Sequence, residues 1–194
     1  MKLFFQSTKA IVTVLLLVGF LQLTGLWEGA SVSAQKLALK TGLLNADGET
    51  KKAPLVFDYN FTIKDLKGNK VAFDQYKGKV VFINLWATWC GPCKAEMPGI
   101  QELVSSLKGK PIEFVMLSLD KDAMLPKVIS YIEKNQYTFP VFMPHEFLPD
   151  QLQVASIPTT IIVSKDGKIV VREVGAKNYN NQKMIDFLID QSSK

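Results

Sequence analysis

Residues 79–86, KVVFINLW, are a near-continuous apolar run of strand length. A strand that is apolar on both sides is buried on both faces, so it belongs in the middle of a sheet covered by other layers. Four residues later come the chain's two cysteines, Cys90 and Cys93, separated by Gly91 and Pro92. Apolar residues then repeat at helical spacing, at Ile100, Leu103, Val104 and Leu107, with Gly109 as a stop. The chain therefore runs from a buried strand, through a cysteine pair, into a helix.

The rest of the pattern alternates extended and helical periods. Ile112 to Leu119 reads as a second buried strand, and Leu125, Val128, Ile129 and Ile132 as a helical stripe. Phe139 to Met143 and Thr159 to Val163 read as strands, the latter joined through Asp166-Gly167 to Lys168–Val174 as a hairpin. Met184, Ile185, Leu188 and Ile189 give a terminal helix. Upstream, Phe57 to Ile63 and Lys70 to Phe73 suggest a hairpin around Lys67-Gly68-Asn69. The expected fold is α/β: a central mixed β-sheet with helices on both faces and an N-terminal β-hairpin extension.

The N-terminus carries its own message. Lys2 and Lys9 precede an uncharged stretch from Ala10 to Trp27, followed by Glu28 and the small-residue run Val32-Ser33-Ala34. That is the layout of a signal peptide cleaved after Ala34. The same stretch is about long enough to cross a bilayer, which takes roughly 17–25 residues. Cleavage and retention as a membrane anchor both stay open, and both put the domain outside the cytoplasm. The expected organisation is a signal peptide or anchor over 1–34, a polar linker over 35–53, and one folded domain over 54–194. The 23 basic and 18 acidic residues give a net charge of +5, but no basic run exceeds Lys51-Lys52. A nucleic-acid surface needs clustering that this sequence lacks.

A bridge between Cys90 and Cys93 closes almost no loop and so adds little stability; the pair needs a chemical reason. A sulfur at a helix start faces unpaired N–H groups and the positive end of the helix dipole. This favours thiolate and lowers the thiol pKa from about 8.5 towards about 7. The thiolate attacks disulfides, and two intervening residues keep the second sulfur within bonding reach. Cys90 at the helix mouth is the expected nucleophile, and Cys93, one turn in, the resolver. Gly91-Pro92 tightens the turn, since proline early in a helix forfeits no intrahelical bond. Zinc would need two further ligands; the only histidine, His145, lies far along the chain, so no metal or other cofactor is expected.

The segment KVVFINLWATWCGPCKAEMP resembles the thioredoxin superfamily, in its TlpA/ResA-like branch of exported, often membrane-tethered thiol–disulfide oxidoreductases. The likeness extends over residues 54–194. Ile157-Pro158-Thr159 matches that family's cis-proline loop, which lies against the active-site sulfur and binds substrate backbone. Pro98 and Gly175 match two further family positions. The resemblance implies protein disulfides as substrates, bordered by Trp89, Gly91, Pro92, Ile157 and Pro158, and a membrane electron donor. Thioredoxin's buried Asp is replaced here by Asn84, which cannot take up a proton. In this branch a glutamate three residues after the second cysteine takes part in thiol acid–base chemistry, and Glu96 holds that position. Glu96→Gln is expected to lower the thiol titration and slow reduction. The Gly-Pro dipeptide is that of reducing thioredoxins, near −270 mV. A disulfide-forming oxidant, a peroxide reductase and a redox-silent binding domain are the alternatives.

Overall fold

The computed structural model describes residues 13, 19–20, 26–42, 44–46 and 55–193. Eight strands form one sheet: β1 (Leu55–Val56), β2 (Thr62–Asp65), β3 (Lys70–Ala72), β4 (Val80–Trp86), β5 (Ile112–Ser118), β6 (Val141–Pro144), β7 (Thr159–Val163) and β8 (Lys168–Val174). The helices bounded within the described residues are α1 (Leu26–Lys40), α2 (Gly91–Ser106), α3 (Leu125–Lys134) and α4 (Gln182–Ser193). The strand order is β1-β8-β7-β4-β5-β6-β2-β3. β4, β5 and β6 run parallel, while β7 lies antiparallel to β4. The sheet is therefore mixed, and β4 is at its centre with all seven residues buried.

Alternation along β4 sorts the core into two layers. Val80, Phe82 and Trp86 face a cluster completed by Ile100 and Leu103 of α2, Val128 and Ile132 of α3, and Met184 and Leu188 of α4. Val81, Ile83 and Leu85 face the opposite cluster, with Phe57, Tyr59, Phe73, Tyr76 and Leu152. The mixed sheet is flanked by helices as expected, but α2, α3 and α4 share one face rather than dividing between two. The reason is the crossover rule: β4–α2–β5–α3–β6 steps twice in the same direction with the same hand, so both helices land on the same side. The second face is closed by aromatic rings. Phe61 and Phe73 stack at 4.4 Å, and Phe57 meets Tyr59 edge-on at 4.9 Å. The 3₁₀ turns Phe73–Tyr76 and Asp150–Leu152 contribute Phe73, Tyr76 and Leu152 to that layer.

The N-terminal hairpin is present as β2–β3, shorter than the sequence implies. Residues 57–61 turn inward as packing aromatics instead of joining a ladder. The β7–β8 connection runs from Ser164 to Gly167 and shifts the register between Ile162 and Val163. Gly167 there has φ +78°, which a glycine takes without steric cost.

Helix α1 packs on α2 and crosses the Ala34–Gln35 boundary without a break. Residues 35–40 of the segment read as a linker are thus helical. Among the described residues no helix is long and apolar enough to cross a membrane. Most of the apolar stretch 10–27, the candidate signal or anchor, lies outside the described residues.

Candidate active site

β4 ends at Trp86, and the chain turns through Ala87–Trp89 into α2. Cys90 is the N-cap of that helix: its Sγ accepts the Cys93 N–H at 3.2 Å. This is the placement at which a helix start stabilises negative charge. Pro92 sits in the first turn, where no intrahelical donor is lost. Cys90 and Cys93 are joined as a disulfide. Cys90 retains 6% of its surface and Cys93 none, so only the first sulfur can be reached from outside.

Across the sulfur lies the loop before β7. The Ile157–Pro158 peptide bond is cis, and the Ile157 carbonyl oxygen is 3.8 Å from Cys90 Sγ. Gly175 N–H donates to the Pro158 carbonyl at 2.8 Å, which ties this loop to the end of β8. Trp89, 64% exposed, stands beside Cys90 at the surface. Trp86, by contrast, is wholly buried and packs against Tyr131. Gly91 faces α1: a Cβ there would meet Val32 Cγ2 at 3.6 Å.

Glu96 lies one turn beyond Cys93 and is 2% exposed. Asn84 Nδ2 donates to its Oε1 at 2.8 Å, and the Lys177 backbone N–H donates to its Oε2 at 3.1 Å. Burial pushes its carboxyl up to about 8 against these two bonds, which pull the other way. Asn84 also donates to Thr160 Oγ1 at 2.9 Å. Asn84 thus ties the Glu96 carboxyl to β7. Glu96 lines a groove of about 450 Å³ between α1 and α2, with Leu37, Leu39, Pro98 and Lys177 among its walls.

The sequence-predicted residues Trp89, Cys90, Gly91, Pro92, Cys93, Ile157 and Pro158 gather at one end of the sheet, with Glu96 behind them. One residue of this region escaped sequence reasoning. Asp120, 5% exposed, receives the Thr88 N–H and Thr88 Oγ1, each at 2.7 Å, and Ser118 Oγ at 2.8 Å. It pins the turn that presents Cys90. Its signal was positional: it follows β5, and in α/β sheets the carboxyl ends of neighbouring strands are where sites assemble. No cluster of three or more His, Cys, Asp or Glu among the described residues could hold a metal ion.

The comparisons agree with this geometry. The AhpC/TSA family profile matches residues 51–172. The thiol–disulfide oxidoreductase ResA of Bacillus cereus is 35% identical over 126 residues, 64% of this chain and 69% of that protein. ResA of Bacillus subtilis is 30% identical over 112 residues, 57% of this chain and 62% of that one. A thioredoxin-family thiol:disulfide interchange protein from Chlorobium tepidum superposes with a TM-score of 0.58, at 21% identity, over 75% of this chain and all of its own. The chain belongs to the AhpC/TSA family, and with a cysteine pair at the mouth of α2 on a thioredoxin-like sheet it is a thiol–disulfide oxidoreductase.

Proposed function

We propose that this oxidoreductase works outside the cytoplasm as a reductant of disulfides in exported proteins. The supporting observation is the asymmetry of the pair. Cys90 is reachable, capped by an N–H and set beside a backbone carbonyl, whereas Cys93 is sealed and has a buried carboxyl one turn further along.

In the reduced enzyme the Cys90 thiolate attacks one sulfur of a substrate disulfide. A mixed disulfide forms, and the other substrate sulfur leaves as a thiolate. Cys93 then loses its proton and attacks Cys90 Sγ, which restores the Cys90–Cys93 disulfide and releases the second substrate thiolate. The two substrate thiolates take up two protons, one given up by Cys93 and one from water, and two electrons have passed to the substrate. Trp89, Gly91, Pro92, Ile157 and Pro158 border the groove that holds the substrate backbone. Glu96 acts catalytically by exchanging a proton with Cys93. A carboxyl poised near 8 lies close to a thiol's ordinary value of about 8.5, so that transfer is nearly level in energy. Below pH 8 Glu96 is mostly neutral and does not repel a thiolate. The fall in thiol titration expected for Glu96→Gln therefore emerges only above that pH.

The Gly91-Pro92 dipeptide supports the reducing direction, and the N-terminal pattern supports export, either free after cleavage or anchored. In an oxidising compartment the enzyme needs a membrane electron donor to return to the dithiol.

The purified protein, supplied with dithiothreitol, should reduce insulin. Cys90→Ser should abolish turnover, and Cys93→Ser should accumulate a mixed disulfide visible by mass spectrometry. A trapped adduct on Cys93 in Cys90→Ser reverses the assignment. A pair potential near −120 mV, that of a disulfide-forming oxidant, overturns the direction.

A further inference from the structure

Residues 44–46 fall where the sequence reads a linker, yet they are built into the domain. Asn45 forms a parallel β-bridge with Asn178. Asn178 N–H donates to the Leu44 carbonyl at 2.8 Å, and Ala46 N–H donates to the Asn178 carbonyl at 3.1 Å. Asn178 Nδ2 donates to Asn45 Oδ1 at 2.9 Å, and Asn181 Nδ2 reaches both the Asn178 and Ala46 carbonyls. Ala46 is 1% exposed and shares a core cluster with Cys93, Phe82 and Tyr179. A free linker has no reason to bury an alanine or to satisfy its backbone so fully.

The partner of these residues is the β8–α4 loop. Lys177 gives its N–H to Glu96 Oε2. Asn178 carries the bridge, and Tyr179 is buried edge-on against Phe82 at 5.2 Å. Three consecutive residues thus tie the 44–46 segment, the glutamate and the core together.

We propose that residues 44–46 are a positioning strap for Glu96: by holding Asn178 they keep the Lys177 N–H against the carboxylate. The strap's effect on rate rests on the catalytic reading of Glu96; its effect on Glu96 itself does not. The polar and charged groups around Glu96 are Asn84 of β4, Thr160 of β7 through Asn84, and the Tyr179 hydroxyl. Lys177, Glu102, and Lys36 and Lys40 of α1 stand around the groove.

The test uses the full chain with Asn45→Ala, Ala46→Asp and the conservative Ala46→Ser. Three quantities are read: amide hydrogen exchange at Lys177, the titration of the Glu96 carboxyl by carbon-13 NMR, and the pH profile of insulin reduction. In Asn45→Ala, Lys177 exchange should quicken about tenfold while β4 amides stay unchanged. In Ala46→Asp the Glu96 midpoint should move further up, because the Lys177 N–H that pulls it down is released and a second carboxylate enters the cluster, and Ala46→Ser should behave as wild type. Unchanged Lys177 exchange in Asn45→Ala overturns the strap. That variant removes a single exposed side-chain bond, so it decides even if Ala46→Asp does not fold. A shifted midpoint with an unaltered rate profile upholds the strap and removes the catalytic role of Glu96. A rate change with unmoved exchange and midpoint overturns the strap, because the change then does not run through Glu96.

Discussion

The turn that carries the cysteines stands between two buried carboxylates held in different ways. Asp120, on the side preceding Cys90, receives three hydrogen bonds from Thr88 and Ser118. Glu96, on the side following Cys93, receives two, and burial outweighs them enough to push its carboxyl to about 8. Asp120 uses its three donors to hold the shape of a turn, whereas at Glu96 burial outweighs the donors and raises the carboxyl. A thiol–disulfide site has use for both. Under the proposed mechanism the approach to Cys90 keeps one shape, while the side of Cys93 exchanges a proton.

The severest way to break this comparison is Asp120→Ala. It leaves the Thr88 N–H and two hydroxyls without their acceptor inside the protein, at about 3–5 kcal/mol in sum. Chemical denaturation should register that loss, with insulin reduction falling as Cys90 shifts. A destabilisation under about 1 kcal/mol would show that Asp120 holds nothing.

Glu96→Gln should act through pH. A carboxyl raised from 4.5 to about 8 by folding binds its proton more tightly in the folded state. Its contribution to stability is therefore full below about pH 4.5 and is lost as pH rises through about 8. Wild type should lose stability across this window relative to Glu96→Gln, by a few kcal/mol at most by pH 9. Parallel urea-stability curves for the two proteins from pH 5 to 9 would contradict a raised glutamate.

The smallest effect belongs to Thr88→Ser, which keeps both the N–H and the hydroxyl that Asp120 receives. Stability should change by less than about 1 kcal/mol and the reduction rate by less than about twofold. A larger loss would mean that the threonine methyl, not the hydrogen bonding, fixes the turn.

These contrasts were only half legible in the sequence. Glu96 declared itself through its spacing from Cys93, because a helix places residues three apart on one face. The β4 and β5 strands, whose apolar runs exceed anything a loop would tolerate, were equally plain. Asp120 was not, since its partner Thr88 is 32 residues away and only the parallel pairing of β4 with β5 brings them together. Residues 57–61 looked like a strand because aromatics favour strands, but here the rings of Phe57, Tyr59 and Phe61 fill one face of the core and the backbone makes isolated bonds to Gly167 and Phe73 in place of a ladder. The strap at 44–46 hid for a related reason: Leu-Asn-Ala has no periodicity, and its partners Asn178 and Asn181 lie more than 130 residues away.

The continuity of α1 bears on timing. Ala34 and Gln35 sit inside that helix, with Val32 lying over Gly91 and Leu39 buried. Peptidases cut backbone they can draw out of regular structure, and helical backbone docked on a domain yields only when it locally unwinds. For a signal peptidase to act at that bond it must arrive before α1 settles on α2. If residues 1–34 act as the proposed signal or anchor, scission and docking are rivals in a race, and the speed at which the domain folds divides released molecules from tethered ones.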